Sequence, residues 1–280
     1  MGGISMKGRL IKHKALIFSV SIIALFTVSF SILSYCITDK DIEIVQVHAD
    51  RIVYKNLNEL INAADVVVIG ELCKKTEQSL EYTFDEEFKK DIISNTISQN
   101  VISVKKILKG DVVDPTIKVS QRYGIDENQN KLITFSELTP MKEADEWIFF
   151  LYYDKVYDTY WCAGDYTGRY PVPNEEILHI YENVKNIVNK RNEWLDTKEK
   201  IADSQVESTM MNDDYVYTDA SGINYLLHSK EEADIVMSFN DEISLCADGL
   251  KASDFGLYEK DLINIELYCD ILEAFHLTQN

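Results

Sequence analysis

The sequence predicts an α+β protein: an N-terminal transmembrane helix, a small OB-like Greek-key β-barrel and a helical C-terminal region. Three observations carry this. An uncharged run, Ala15 to Ile37, follows a basic N-terminus. Between residues 64 and 172, β-branched and aromatic stretches alternate with turn residues. From Asn174 onward, apolar residues recur at helical spacing.

The 280 residues are 46% hydrophobic and 27% charged, enough apolar material for one or two cores. Net charge is −19, with Lys7, Arg9, Lys12 and Lys14 as the only charges of the first 37 residues. The remainder is therefore more acidic than the whole. Such a surface repels phosphate backbones, which argues against nucleic acid as a partner.

Ala15 to Ile37 spans about 34 Å at 1.5 Å per residue, enough for a bilayer core. Basic residues precede it and Thr38-Asp39-Lys40-Asp41 follows. The positive-inside rule then keeps residues 1–14 in the cytoplasm and places the chain after the 15–37 signal-anchor outside the cell membrane. A cleaved signal peptide and a lipidated Cys36 are the alternatives. The first is opposed by the length of the run, the second by bulky Tyr35 before the cysteine. Residues 38–54 read as a linker. Cys73, Cys162, Cys246 and Cys269 fall in the outer part, where disulfides persist; unpaired thiols are the other reading.

The barrel is expected over residues 55–173. Leu57, Leu60, Ile61 and Ala64 give a short helix leading into Val66-Val67-Val68-Ile69, a strand buried on both faces. Glu77 to Asp91 is acidic and reads as a loop or short helix. Thr96 to Leu108 is a long strand with a change of phase that suggests a bulge, ended at Lys109-Gly110-Asp111. Thr116 to Ser120 pairs back on it. Glu146-Trp147-Ile148-Phe149-Phe150-Leu151-Tyr152-Tyr153 is the central strand. Thr159 to Ala163 and Gly168 to Val172 form a last hairpin.

Ala64-Asp65-Val66-Val67, Val104-Lys105-Lys106-Ile107-Leu108-Lys109-Gly110, Ile117-Lys118-Val119 and Trp147-Ile148-Phe149-Phe150-Leu151 resemble the netrin-like barrel of tissue inhibitors of metalloproteinases. They are more similar still to membrane-tethered bacterial proteins with that barrel. The resemblance covers residues 55–173 and implies an OB-type fold. The inhibitors chelate a protease zinc through the amine and carbonyl of a free N-terminal cysteine. Here a membrane segment and linker precede the barrel and no Cys-x-Cys opens it, so that activity does not follow.

Two candidate sites emerge. Asp126, Asn128, Asn130 and Glu137 occupy calcium-loop positions, but Lys131 stands where such a loop needs glycine, and a polar hairpin is the better reading. Tyr160, Trp161, Tyr166 and Arg169 form an aromatic and basic cluster suited to a carbohydrate or peptide face, or to barrel packing.

Residues 174–280 read as helical. Asn174 caps a helix running to about Ile201, Asp203 to Asp219 is a polar linker, Ser229 and Glu232 box a helix to Phe239, and Tyr258 to Phe275 gives the last helix. His13, His48, His179, His228 and His276 are scattered, no catalytic set is evident, and no cofactor is expected. The sequence therefore points to a membrane-anchored extracytoplasmic binding or accessory protein with a protein partner at the cell surface. A hydrolase with its site between barrel and helices, and a calcium-dependent adhesion module, are the alternatives.

Overall fold

The computed structural model describes residues 42–47, 52–54, 56–135, 138–142, 144–164, 168–210, 214–219, 222–257, 259–260 and 263–278. The expected cytoplasmic and membrane segments, 1–14 and 15–37, lie outside these. Among the described residues no helix is long and apolar enough to cross a membrane. The chain divides into two units, Met1–Glu43 with Glu127–Lys131, and Ile44–Asp126 with Leu132–Asn280. In the first, the Glu43 N–H donates to the Asn130 carbonyl at 3.1 Å, and Lys131 pairs with Glu43.

In chain order the elements are β1 (Glu43–Val47), α1 (Leu57–Ala63), β2 (Val66–Asp85), β3 (Lys90–Lys109), β4 (Thr116–Gln121), β5 (Tyr123–Asp126), β6 (Lys131–Phe135), β7 (Glu146–Asp154), β8 (Thr159–Cys162) and β9 (Arg169–Pro171). There follow α2 (Glu175–Leu195), β10 (Glu199–Ile201), α3 (Asp203–Met210), β11 (Tyr215–Thr218), β12 (Asn224–Leu227), α4 (Lys230–Cys246) and α5 (Ile265–Ala274).

Five strands close a barrel in the order β2-β3-β4-β8-β7 and back to β2. All neighbours are antiparallel except β4 and β8, which run parallel. The β-branched run explains why. Val66, Val68, Leu72, Trp147, Phe149 and Leu151 point into the barrel with Ile102, Ile117 and Val119. The alternate residues Val67, Ile69, Ile148 and Phe150 point outward and are also buried, under α1, α2 and α5. Both faces of Val66 to Ile69 in β2 and of Trp147 to Leu151 in β7 are thus dry, as continuous apolar strands require. Gly70 allows the close crossing, since a Cβ there would sit 2.5 Å from Ile102 Cγ2. Lys109 Nζ donates to the Ile61 and Ala64 carbonyls at 2.5 Å, satisfying the C-terminal end of α1.

Several expectations need correction. Residues 77–91 are neither loop nor helix. They are the far end of a hairpin of two 20-residue strands. Leu80, Tyr82 and Phe84 alternate with Glu81, Thr83 and Asp85, and that period of two outweighs the acidity. Asp85 closes the turn by accepting the N–H groups of Glu87 and Phe88. The expected hairpin of 159–172 is absent. β8 and β9 run in the same direction along one edge of β7. A Cβ on Gly168 would meet the Ala163 carbonyl at 2.4 Å, so the glycine permits a close approach instead of turning a hairpin. The linker assigned to 38–54 contains β1, which lies beside β6 in a second sheet of order β1-β6-β5.

The C-terminal region is not wholly helical. α2 begins at the Asn174 cap as expected but stops at Leu195. The supposed linker holds α3 and β11, and β10, β12 and β11 make a small sheet. Asp219 closes the β11–β12 hairpin by accepting the Ile223 N–H. Ser229 caps α4, which runs seven residues beyond Phe239, to Cys246. Arg191 of α2 ties the helices together. It is 2% exposed and donates to both oxygens of Glu266, at 2.8 and 2.7 Å, and to Asn240 at 3.2 Å. Burial alone lowers the Arg191 pKa, and the Glu266 hydrogen bonds and charge more than offset it, leaving the value raised. Phe150 of the barrel meets Tyr170 and Phe275, each at 6.1 Å, and Tyr268 stacks on Tyr170.

β5 is seated on the long hairpin at Gly124. A Cβ there would lie 2.0 Å from Thr96 Oγ1 and 2.8 Å from Leu80 Cδ2. Gly124→Ala is expected to destabilise the protein by about 1–3 kcal/mol in urea denaturation. Adding Thr96→Ala, which removes a buried hydroxyl that has no partner, should restore much of the loss.

Candidate functional site

The site begins with a change of sheet. Gln121, the last residue of β4, pairs with Ser98 of β3 inside the barrel. Arg122 then breaks the strand, and Tyr123 enters β5 of the second sheet. The β4–β8 ladder ends at Ser120 opposite Trp161. Where the two strands part, a cleft of about 150 Å³ opens between Gln121, Phe135, Tyr152, Asp154, Tyr157 and Trp161.

Local chemistry fixes its walls. Asp154 accepts the Val156 and Tyr157 N–H groups, an Asx-type turn that holds Tyr157 at the end of β7. The Tyr157 ring meets Trp161 edge-on, with centroids 6.5 Å apart at 75°. On the other side of this aromatic pair lies a second cleft of about 220 Å³, walled by Gln78, Glu81 and Gln99 of the long hairpin.

Two polar side chains here are unsatisfied. Gln121 is 5% exposed, and neither its Nε2 nor its Oε1 has a hydrogen-bond partner. The Trp161 Nε1 is buried and also lacks an acceptor. A buried amide group left unpaired costs about 1–3 kcal/mol. Folded proteins seldom keep such groups; both residues line the cleft, while the three atoms themselves have almost no accessible surface.

The three described residues of the aromatic and basic cluster do not share one face. Trp161 lines the cleft. Tyr160, the adjacent residue, points the opposite way in the pleat, packs on the barrel interior and meets Tyr153 at 5.1 Å. Burial, then the charges of Asp65 and Asp114, raises the Tyr160 phenol pKa. Tyr166 lies outside the described residues. Arg169 is 1% exposed and is an internal tie. Its Nη2 donates to the Thr139 and Gly256 carbonyls at 2.9 and 3.0 Å, and its guanidinium lies 4.5 Å from the Trp147 ring. Gly256, at φ +65°, leaves the space that Nη2 enters. Burial brings the Arg169 pKa down to about 10, opposed by Cys162, Tyr123 and Asp145, so it stays charged at neutral pH.

Three of the four calcium-loop residues are described. Asp126 is buried at the end of β5 and Asn128 and Asn130 lie in the following turn, with Asn130 at φ +53°. Glu137 is outside the described residues. Among the described residues no three His, Cys, Asp or Glu side chains group to hold a metal. Among the described residues Cys73, Cys162, Cys246 and Cys269 form no disulfide, and burial pushes Cys269 up to about 12, which keeps it protonated.

No family model, curated protein or solved structure matches this chain. The geometry of the cleft therefore carries the functional argument.

Trp161, a candidate from its aromatic neighbours, lines this cleft, and so does Gln121, which the sequence did not single out. The only signal was that Ser120 and Gln121 are consecutive polar residues at a strand end, and both prove buried. Replacing the carboxamide by a thioether of similar length removes the unpaired atoms. Gln121→Met is expected to stabilise the protein by about 1–2 kcal/mol, read as a higher midpoint in thermal or urea denaturation.

Proposed function

We propose that this chain is a membrane-anchored, extracytoplasmic binding or accessory protein, not a catalyst, and that its ligand seats in the Trp161 cleft. The observation that carries the reading is the aromatic-walled cleft itself, lined by Phe135, Tyr152, Tyr157 and Trp161 together with the polar Asp154 and Gln121. Binding sites combine apolar walls with a few converging polar groups, as this one does. Two sequence features support the location: the uncharged run 15–37 and the basic residues before it. The acidity of the remainder favours a protein partner at the cell surface over nucleic acid.

The barrel is proposed to be of the OB type. Its strand order, first-second-third-fifth-fourth with the third and fifth parallel, supports this, and with it the netrin-like resemblance of residues 55–173. A binding role at this cleft is also favoured over hydrolysis there by the position of the described histidines outside its lining. His179 lies on α2, His228 precedes α4 and His276 follows α5, and none lines the cleft.

Tyr157 is 59% exposed at the rim and is a suitable place for a reporter. With a photo-crosslinking amino acid at position 157 of the full-length protein in its native membrane, illumination is expected to give one stoichiometric adduct. The same reporter at exposed Val113, far from the cleft lining, should give none. Equal labelling from both positions, or no adduct from 157, would sink the reading.

A further inference from the structure

We infer that the outer face of the barrel at Trp161 binds an uncharged oligosaccharide, laid across the strands from one cleft into the other over the Tyr157–Trp161 pair; this rests on the binding reading above. Register places Glu77 opposite Gln99, Gln99 opposite Ser120, Ser120 opposite Trp161 and Trp161 opposite Tyr152. Directly paired residues share a face of the sheet. These five side chains therefore form one row across β2, β3, β4, β8 and β7. At about 4.8 Å between strands, the row is about 19 Å long, room for a chain of several sugar rings. Glu77, Gln99, Ser120 and Trp161 line the second cleft, and Ser120, Trp161 and Tyr152 line the first, so the row runs through both. Ser120 is small, 1% exposed and bonded to the Thr159 hydroxyl, and it lies low between Gln99 and Trp161.

The accessible groups along the row match the chemistry of a sugar. A pyranose has an apolar C–H face and a rim of hydroxyls, each both donor and acceptor. Trp161 and exposed Tyr157 supply aromatic surface for the C–H face. Glu77, Glu81 and Gln99 at one end, and Arg122 and Asp154 at the other, supply carboxylates, a carboxamide and a guanidinium for the hydroxyls. The net charge of −19 repels an anionic chain, which leaves an uncharged one.

A peptide suits this row less well. An extended peptide gains affinity by pairing its backbone with an open strand edge. Along the row β3, β4 and β8 are each paired on both sides, so they offer no such edge. The N–H and C=O groups of a peptide would lie over side chains, whereas sugar hydroxyls rotate to meet them.

The test uses the full-length protein in lipid nanodiscs. The probes are cello-, malto- and chito-oligosaccharides of increasing length, galacturonate oligomers and end-capped nonapeptides. One neutral sugar series is expected to bind, with affinity rising about tenfold or more from one ring to four. Tyr157→Ala and Gln99→Ala should each weaken the four-ring probe about fivefold or more, with the melting temperature little changed. Glu86→Gln, at the hairpin turn outside the row, should leave binding intact. Affinity that does not grow with length, binding that survives both row substitutions, or selection of galacturonate or peptide overturns the oligosaccharide inference. So does binding of no probe when the position-157 adduct still forms; the binding reading then stands. Loss of both the probes and the adduct overturns the two together. With an aromatic reporter at position 157, a crosslink to sugar supports the inference and tells a free glycan from one carried by a surface protein. A crosslink that maps to peptide alone overturns it.

Discussion

The structure depends on the pairing of β2 with β7, two strands buried on both faces. Val66 to Ile69 and Trp147 to Leu151 are each less than 9% exposed, and register pairs Val66 with Leu151 through to Gly70 with Trp147. Burying one such side chain contributes about 1.5–3 kcal/mol before the entropy of ordering it. One set of alternate residues fills the barrel and the other receives the helices. A slip of one residue would exchange the sets and present the wrong shapes to both cores, so this pair defines the register of everything attached to it.

The cleft is a by-product of that closure. A barrel of five strands whose third and fifth run parallel has a short parallel ladder, here only two residue pairs, Val119 with Tyr160 and Ser120 with Trp161. Beyond it β4 leaves for the second sheet through Arg122, while β8 returns to β7. The gap between diverging strands is lined by backbone corners and by side chains that neither sheet claims. Gln121 and Trp161 are such residues. Elsewhere in the interior Ser120 pairs with Thr159, Tyr123 with Asn100 and Arg191 with Glu266, while Thr96 Oγ1, Trp147 Nε1 and Arg169 Nε, like the Gln121 carboxamide, have no partner.

Much of the barrel was legible because its strands are rich in β-branched and aromatic residues with clear turns. Val66 to Ile69, the long strand ending at Gly110, Thr116 to Ser120 and Glu146 to Tyr153 all follow from local pattern. Residues 77–91 were obscured because a two-stranded ribbon wet on both sides tolerates acids that a half-buried strand does not. Strands β10 to β12 were too short, and too close to charged residues, to show a period. The order of β8 and β9 was hidden for a different reason, since glycines at 164 and 168 suit a hairpin and a connection between like-directed strands equally well. Trp161 and Arg169 looked alike in sequence as polar-tipped side chains of one cluster. Only the pleat and the covering 3₁₀ turn at Ala252–Phe255 send one to a cleft and the other to the interior. Gln121 was invisible because its burial depends on a strand bend fixed by partners distant in sequence.

The β2–β3 hairpin carries five irregularities along its ladder, at Val67/Val68, Ile69/Gly70, Leu72/Lys74, Lys75/Glu77 and Glu81/Tyr82. Each places unequal numbers of residues on the two strands and fits only one opposing position. Together they act as the teeth of a key. One arm cannot slide along the other without moving all five at once, so the ribbon resists shear along its length even where no core covers it. The turn after Asp85 is thereby held in one register with the barrel wall, where the same two strands meet β4 and β7.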